Sequence, residues 1–133
     1  MRLAQASVPG PAGPAQFGIF FFGPGGGGSA EDNIQRWIGQ IESPVAPARR
    51  QTFASHGLQV SLVEMAGTMK ASSIGMGPTT AQPGSRLLGA VVEGPGGPWF
   101  FKLIGPDATV AAAREPFLHM LRDVKPRQEP PGH

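Results

Sequence analysis

The chain has 133 residues, 40% of them hydrophobic and 15% charged, and its 20 Gly and 15 Pro mean that more than a quarter of it interrupts regular structure. Disordered chains with that much Gly and Pro are poor in large apolar residues, whereas eight Phe, two Trp and several apolar runs suffice here for one core. Length and pattern exclude a two-domain enzyme, a coiled coil and a collagen, and a net charge of +2 gives no strong electrostatic claim on nucleic acid.

The pI near 9.7 overstates this basicity, because a chain without Cys or Tyr and with few acids shifts its pI far on a small surplus. Neither Arg49-Arg50 nor the group Arg122, Lys125 and Arg127 interleaves with aromatics, so no nucleic-acid partner is expected. Without cysteine there are no disulfides, thiolate nucleophiles or thiolate zinc sites. The longest apolar run, Phe17 to Phe22, covers six residues, against about twenty for a membrane-spanning helix. Prolines at 9, 11 and 14 replace the apolar stretch of a signal peptide, so none is expected in this chain.

In chain order, residues 2–8 predict a short edge strand closed by the prolines that follow, and Phe17 to Phe22 predict a buried strand. Ser29 opens a helix, since its hydroxyl can cap the Asp32 N–H and Glu31 and Asp32 favour the positive end of the dipole. Ala30, Ile34, Trp37, Ile38 and Ile41 form its apolar stripe, and Pro44 predicts an end near Glu42. After a linker through Arg49-Arg50, Thr52 to Ala54 and Leu58 to Glu64 predict a hairpin turning at His56-Gly57. Residues 66–86 lack periodicity and are expected to form a long irregular loop, a kind of segment that in small domains is usually functional or disordered.

Leu87 to Glu93 and Trp99 to Ile104 predict a second hairpin at the centre of the sheet, joined by a turn over residues 94–98. A closing helix over Ala108 to Asp123 carries Val110, Ala113, Phe117, Met120, Leu121 and Val124 on one stripe, with a kink or break expected at Pro116. The sum is an α+β domain over residues 1–125, a mostly antiparallel sheet with helices packed on it, and a disordered tail over 126–133.

The run Gly23 to Gly28 satisfies G-x-G-x-x-G between a strand and a helix, but no second parallel strand with its acidic residue follows at the required distance. A tight strand-to-helix turn is the better reading, and an anion or nucleotide site the alternative. The three histidines, His56, His119 and His133, have no metal-ligand spacing, and no nucleophile elbow is present, so neither metal nor cofactor nor catalytic residue is assigned. Trp37 and Trp99 each sit in an apolar pattern that places them in the core. Met69, Lys70, Met76 and Arg86, at the ends of or within the long loop, are the candidate interaction surface, since flexible Met side chains suit adaptable binding.

Several segments together resemble a family of bacterial proteins without an established activity, often exported or lipid-anchored. They are Phe22 to Gly25, Gly27 to Ser29, Asn33-Ile34, Arg36 to Gln40, Leu88 to Glu93, and Gly94 to Gly105 around Pro98 to Leu103. The resemblance implies a PsbP-like α/β/α sandwich, as in the photosystem II extrinsic subunit and the Ran-binding Mog proteins. It also implies a bacterial envelope location, and a further strand and leader ahead of Met1 that would leave the first sheet edge truncated. Those relatives by fold bind or assemble, which favours a non-enzymatic protein-binding or assembly-accessory domain using the long loop or a sheet edge. The alternative is a small-molecule or anion-binding module, or a weak enzyme, using the Gly23 to Gly28 turn with Lys102 or Arg86.

Overall fold

The computed structural model describes residues 2–21, 28–71, 80–94 and 98–123, with side chains from residue 5 onward. Strands β1 (Arg2–Val8) and β2 (Ala15–Phe21) precede helix α1 (Ala30–Ile38), and β3 (Ile41–Glu42), β4 (Arg49–Ser55) and β5 (Leu58–Met69) follow it. Strands β6 (Gln82–Glu93) and β7 (Trp99–Pro106) and helix α2 (Asp107–Asp123) complete the described chain. All pairings are antiparallel in the order β1-β2-β7-β6-β5-β3, with β4 also on β5, so the second hairpin is central as its apolar runs predict.

Alternation along the central strands feeds two cores. Leu88, Ala90 and Val92 of β6 join Val110, Phe117, Leu118 and Leu121 of α2, whereas Leu87 and Val91 join Ile34 and Trp37 of α1. The helices therefore cover opposite faces of one sheet, giving an α+β sandwich. Strands β6 from Leu87 to Val92 and β7 from Phe100 to Ile104 are buried on both faces, which is why they read as near-continuous apolar runs, whereas β5 alternates from Leu58 to Leu62 before both its faces are covered. Phe17 of β2 meets Phe117 of α2 edge to face at 6.3 Å.

Helix α1 begins as its cap predicts, with Ser29 Oγ accepting the Asp32 N–H at 3.0 Å. It ends earlier than its apolar period suggests, at Ile38 with Gly39 as cap, and Ile41 leaves the helical stripe to pair with Met69 from β3. Arg50 of β4 ties the helix to the sheet, donating from Nη1 to Glu31 Oε2 at 3.0 Å. Bonding to Arg50, and then to Gln35, holds the Glu31 carboxyl down at about 2. The expected linker at Arg49-Arg50 is thus already strand.

The expected 66–86 loop is also shorter, because β5 runs on to Met69 and β6 starts at Gln82. Gly67 hides this extension from a pattern search, yet the packing requires it: a Cβ there would lie 2.7 Å from Ile41 Cγ2 and 3.0 Å from Pro44 Cα. Helix α2 continues through Pro116 without the expected break. Pro116 and Ala112, whose carbonyl loses its N–H partner, are both exposed, so water can replace the missing bond. Trp37 is buried as expected, while Trp99 is 37% exposed and stacks on Phe21 at 4.6 Å, at a sheet end rather than in the core. The expected tail 126–133, Val124 and the turns at 23–27 and 95–97 lie outside the described residues.

One contact sets the position of α1. Gly89 on β6 leaves a bare patch of sheet, and the Trp37 indole fills it so closely that a Cβ at 89 would meet ring carbons at 2.5 and 2.6 Å. Trp37 then meets Phe100 of β7 edge to face at 6.4 Å. In urea unfolding, Trp37→Ala should cost about 3–5 kcal/mol and Gly89→Ala about 1–3 kcal/mol through overpacking. The double variant should lose clearly less than the two combined, because the methyl group then has room; additive losses would show that the indole does not rest on Gly89.

Candidate functional site

Cross-strand register places one transverse row on the α1 face: Gln5, Gly18, Lys102, Gly89, Val63 and Arg50, from β1 across to β4. The adjacent row reads Ser7, Gln16, Ile104, Leu87 and Met65. Helix α1 sits over the β5–β6 side of these rows, so Gln5, Ser7 and Gln16 on the β1–β2 side are exposed. The α1 face is thus apolar under the helix and carries amides and hydroxyls beside it.

Two adjoining clefts open along this uncovered part, of about 410 and 360 Å³, sharing Pro14 and Gln16. Gln5 and Ser7 line the smaller cleft; Met69, Ile104, Gln82 and Ser85 line the larger. Thr109 of α2 fixes one wall, since its hydroxyl donates to Gly13 O at 2.6 Å and accepts the Ala12 N–H at 3.2 Å. Ser85 is held in turn by donating to Gln82 O at 2.8 Å. No charged side chain lines either cleft among the described residues.

Lys102 lies one row along from Gln16 and Ile104 and is only 5% exposed. Its Nζ donates to Gln40 Oε1 at 2.5 Å and stands 6.0 Å from the centre of the Trp37 ring. Burial, and after it the charge of Arg36, push the Lys102 ammonium down from 10.5 to about 8. The neighbouring groups on α1 are polar as well: Arg36 donates from Nη2 to Asn33 Oδ1, and Asn33 Nδ2 donates to Ser29 O at 2.8 Å.

The opposite face resolves its charges differently. Glu64, 5% exposed, accepts from Arg86 Nη1 at 2.7 Å and from Arg114 Nε of α2 at 3.0 Å, and Arg86 Nε donates to Asp107 at 2.6 Å. Burial pulls the Arg86 guanidinium down, but Asp107 and Glu64 outweigh it, so its pKa stands above the ordinary value. This network fastens α2 to β5 and β6.

Of the four residues proposed from sequence as an interaction surface, Met69 is buried between β3 and β6 and lines the larger cleft. Lys70 is exposed beside it, its N–H donating to Gln40 O at 2.9 Å. Arg86 points to the other face, and Met76 lies outside the described residues, as does most of the Gly23 to Gly28 run. The structure brings Met69 and Lys70 together and separates Arg86 from them. The amide lining by Gln5, Gln16 and Gln82 and the Arg36–Gln40 surroundings of Lys102 were missed, because they assemble from four strands and a helix that no local pattern connects. The signal that did exist was a lysine inside the apolar run Trp99 to Ile104.

Among the described residues no three His, Asp or Glu side chains converge to hold a metal, and no helix is long and apolar enough to cross a membrane. No family model and no curated protein matches the chain. Among solved structures, it is similar to PA94, a protein of unknown function from Pseudomonas aeruginosa suggested to be a regulator. The TM-score is 0.60 at 16% identity, over 95% of this chain and 83% of that one, which places this fold in a bacterial protein.

The Lys102 environment has a direct consequence for stability. Below pH 8 the amine is charged in both folded and unfolded chains, and the folded state bears the cost of burying it. Between about pH 8 and 10.5 the folded amine is neutral while the unfolded one still holds its proton, so unfolding takes up a proton and stability rises with pH, by up to about 3 kcal/mol. The chain has no Tyr or Cys to titrate in this window. Lys102→Met should be more stable than the parent at pH 7 and lose this alkaline gain in denaturant titrations; an unchanged slope would place the amine in water.

Proposed function

We propose that this domain is a non-enzymatic protein-binding or assembly-accessory module, and that the joined clefts on the α1 face receive an extended stretch of a partner chain. The lining carries this reading: Gln5, Ser7, Gln16, Gln82 and Ser85 surround Met69 and Ile104 without a charged side chain among the described residues. Uncharged amides and hydroxyls pair with main-chain N–H and C=O groups, and an apolar floor accepts one side chain. The larger cleft's volume is within the range of a specific binding pocket.

Met69 serves this reading as floor and Lys70 as rim, with Met76 on the segment between β5 and β6, while Arg86 belongs to the α2 anchor. The suggestion that PA94 is a regulator supports a binding role by fold analogy only. The sequence resemblance adds a PsbP-like kinship and an envelope location to the proposal.

Incorporating a photo-crosslinking amino acid at Gln16 or Gln82 in producing cells should trap the same discrete protein from both positions. The same probe at Glu115, exposed on the opposite face, should trap none. Equal trapping from Glu115, or no protein adduct from either cleft position, would contradict the proposal.

A further inference from the structure

Among the described residues three arginines are held in ion pairs. Arg50 is paired with Glu31, Arg86 with Glu64 and Asp107, and Arg114 with Glu64 and Glu115. Lys102 is the most deeply buried cation among the described residues, yet its hydrogen-bond partner is the neutral Gln40 amide. Arg36 of α1, four residues before Gln40, is itself bonded to the neutral Asn33 amide.

Holding two cations together without an intervening anion is unfavourable, and burying one of them adds desolvation. A buried lysine needed only for packing would be better replaced by Met or Leu. Around the buried Lys102 ammonium stand the half-buried Gln40 amide, between helix and strand, and the exposed Arg36. Gly18 and Gly89 flank Lys102 in the row, so neither of its direct neighbours on the sheet has a side chain beside it.

We propose that Lys102 and Arg36 form a binding site for a small oxyanion, a carboxylate or a phosphoryl group, whose oxygen replaces Gln40 Oε1 as the acceptor of the Lys102 amine. A charge-assisted bond to Lys102 and a forked one to Arg36 replace two bonds to neutral amides, and the like-charge repulsion becomes attraction to a shared partner. This site is separate from the uncharged clefts and does not depend on their occupant.

The test uses Trp99→Phe, which leaves Trp37 as the one indole, beside the Lys102 amine. Sodium phosphate and sodium acetate are titrated separately at pH 7 against sodium chloride of matched ionic strength, following Trp37 emission. A saturable change with phosphate, acetate or both, absent with chloride, is expected, and the responding anion identifies the phosphoryl or carboxylate source. Arg36→Gln, at an exposed position, should weaken it about tenfold, and Lys102→Met should abolish it. No saturable change, an equal response to chloride, or full binding by either folded variant would overturn the proposal.

Discussion

The seating of Trp37 on Gly89 is the contact on which the α1 side of the molecule depends. A nine-residue helix is too short to be stable alone, so α1 exists because its indole and Ile34 find a surface shaped for them. Gly89 supplies that surface by having no side chain in the middle of a strand buried on both faces. Once the indole is seated, the end of the helix is set by Gly39, Gln40 is carried over β7, and Ile41 is delivered to β3. The covered and uncovered parts of the α1 face, and therefore the clefts, follow from where that one ring rests.

The two faces of the sheet use polarity in opposite ways. On the α2 face a buried carboxylate, Glu64, is held by two arginines on different elements, and removing it would leave both without that partner. That arrangement reads as an anchor for α2. On the α1 face the buried charge is an amine whose acceptor among the described residues is the neutral Gln40 amide, with Arg36 four residues before it. The first pattern stabilises an element. The second leaves a buried amine on a neutral acceptor, and the proposed oxyanion site rests on that arrangement.

Much of the architecture was legible in the sequence because its cues are local. The Ser29 cap and the His56-Gly57 hairpin each act within a few residues, and each is found where its pattern predicts. Errors arose where a tertiary contact overrode a local signal. Ile41 continues the helical period yet pairs as strand, and Gly67 interrupts an apolar pattern because Ile41 and Pro44 press on it. The lining of the clefts was the least legible. Gln5, Gln16 and Gln82 are unremarkable singly, and only the register β1-β2-β7-β6 brings them to adjoining clefts.

The central claim is that α1, seated through Trp37, encloses an amine that the fold desolvates but does not neutralise. The most direct measurement is the titration of the Lys102 side chain in the folded protein, followed by NMR of its ε-carbon with Lys102→Met supplying the assignment. The account predicts a midpoint near 8, separated from the exposed lysine signals. A midpoint at the ordinary lysine value, about 10.4, would mean that the amine reaches water and that α1 does not close over it.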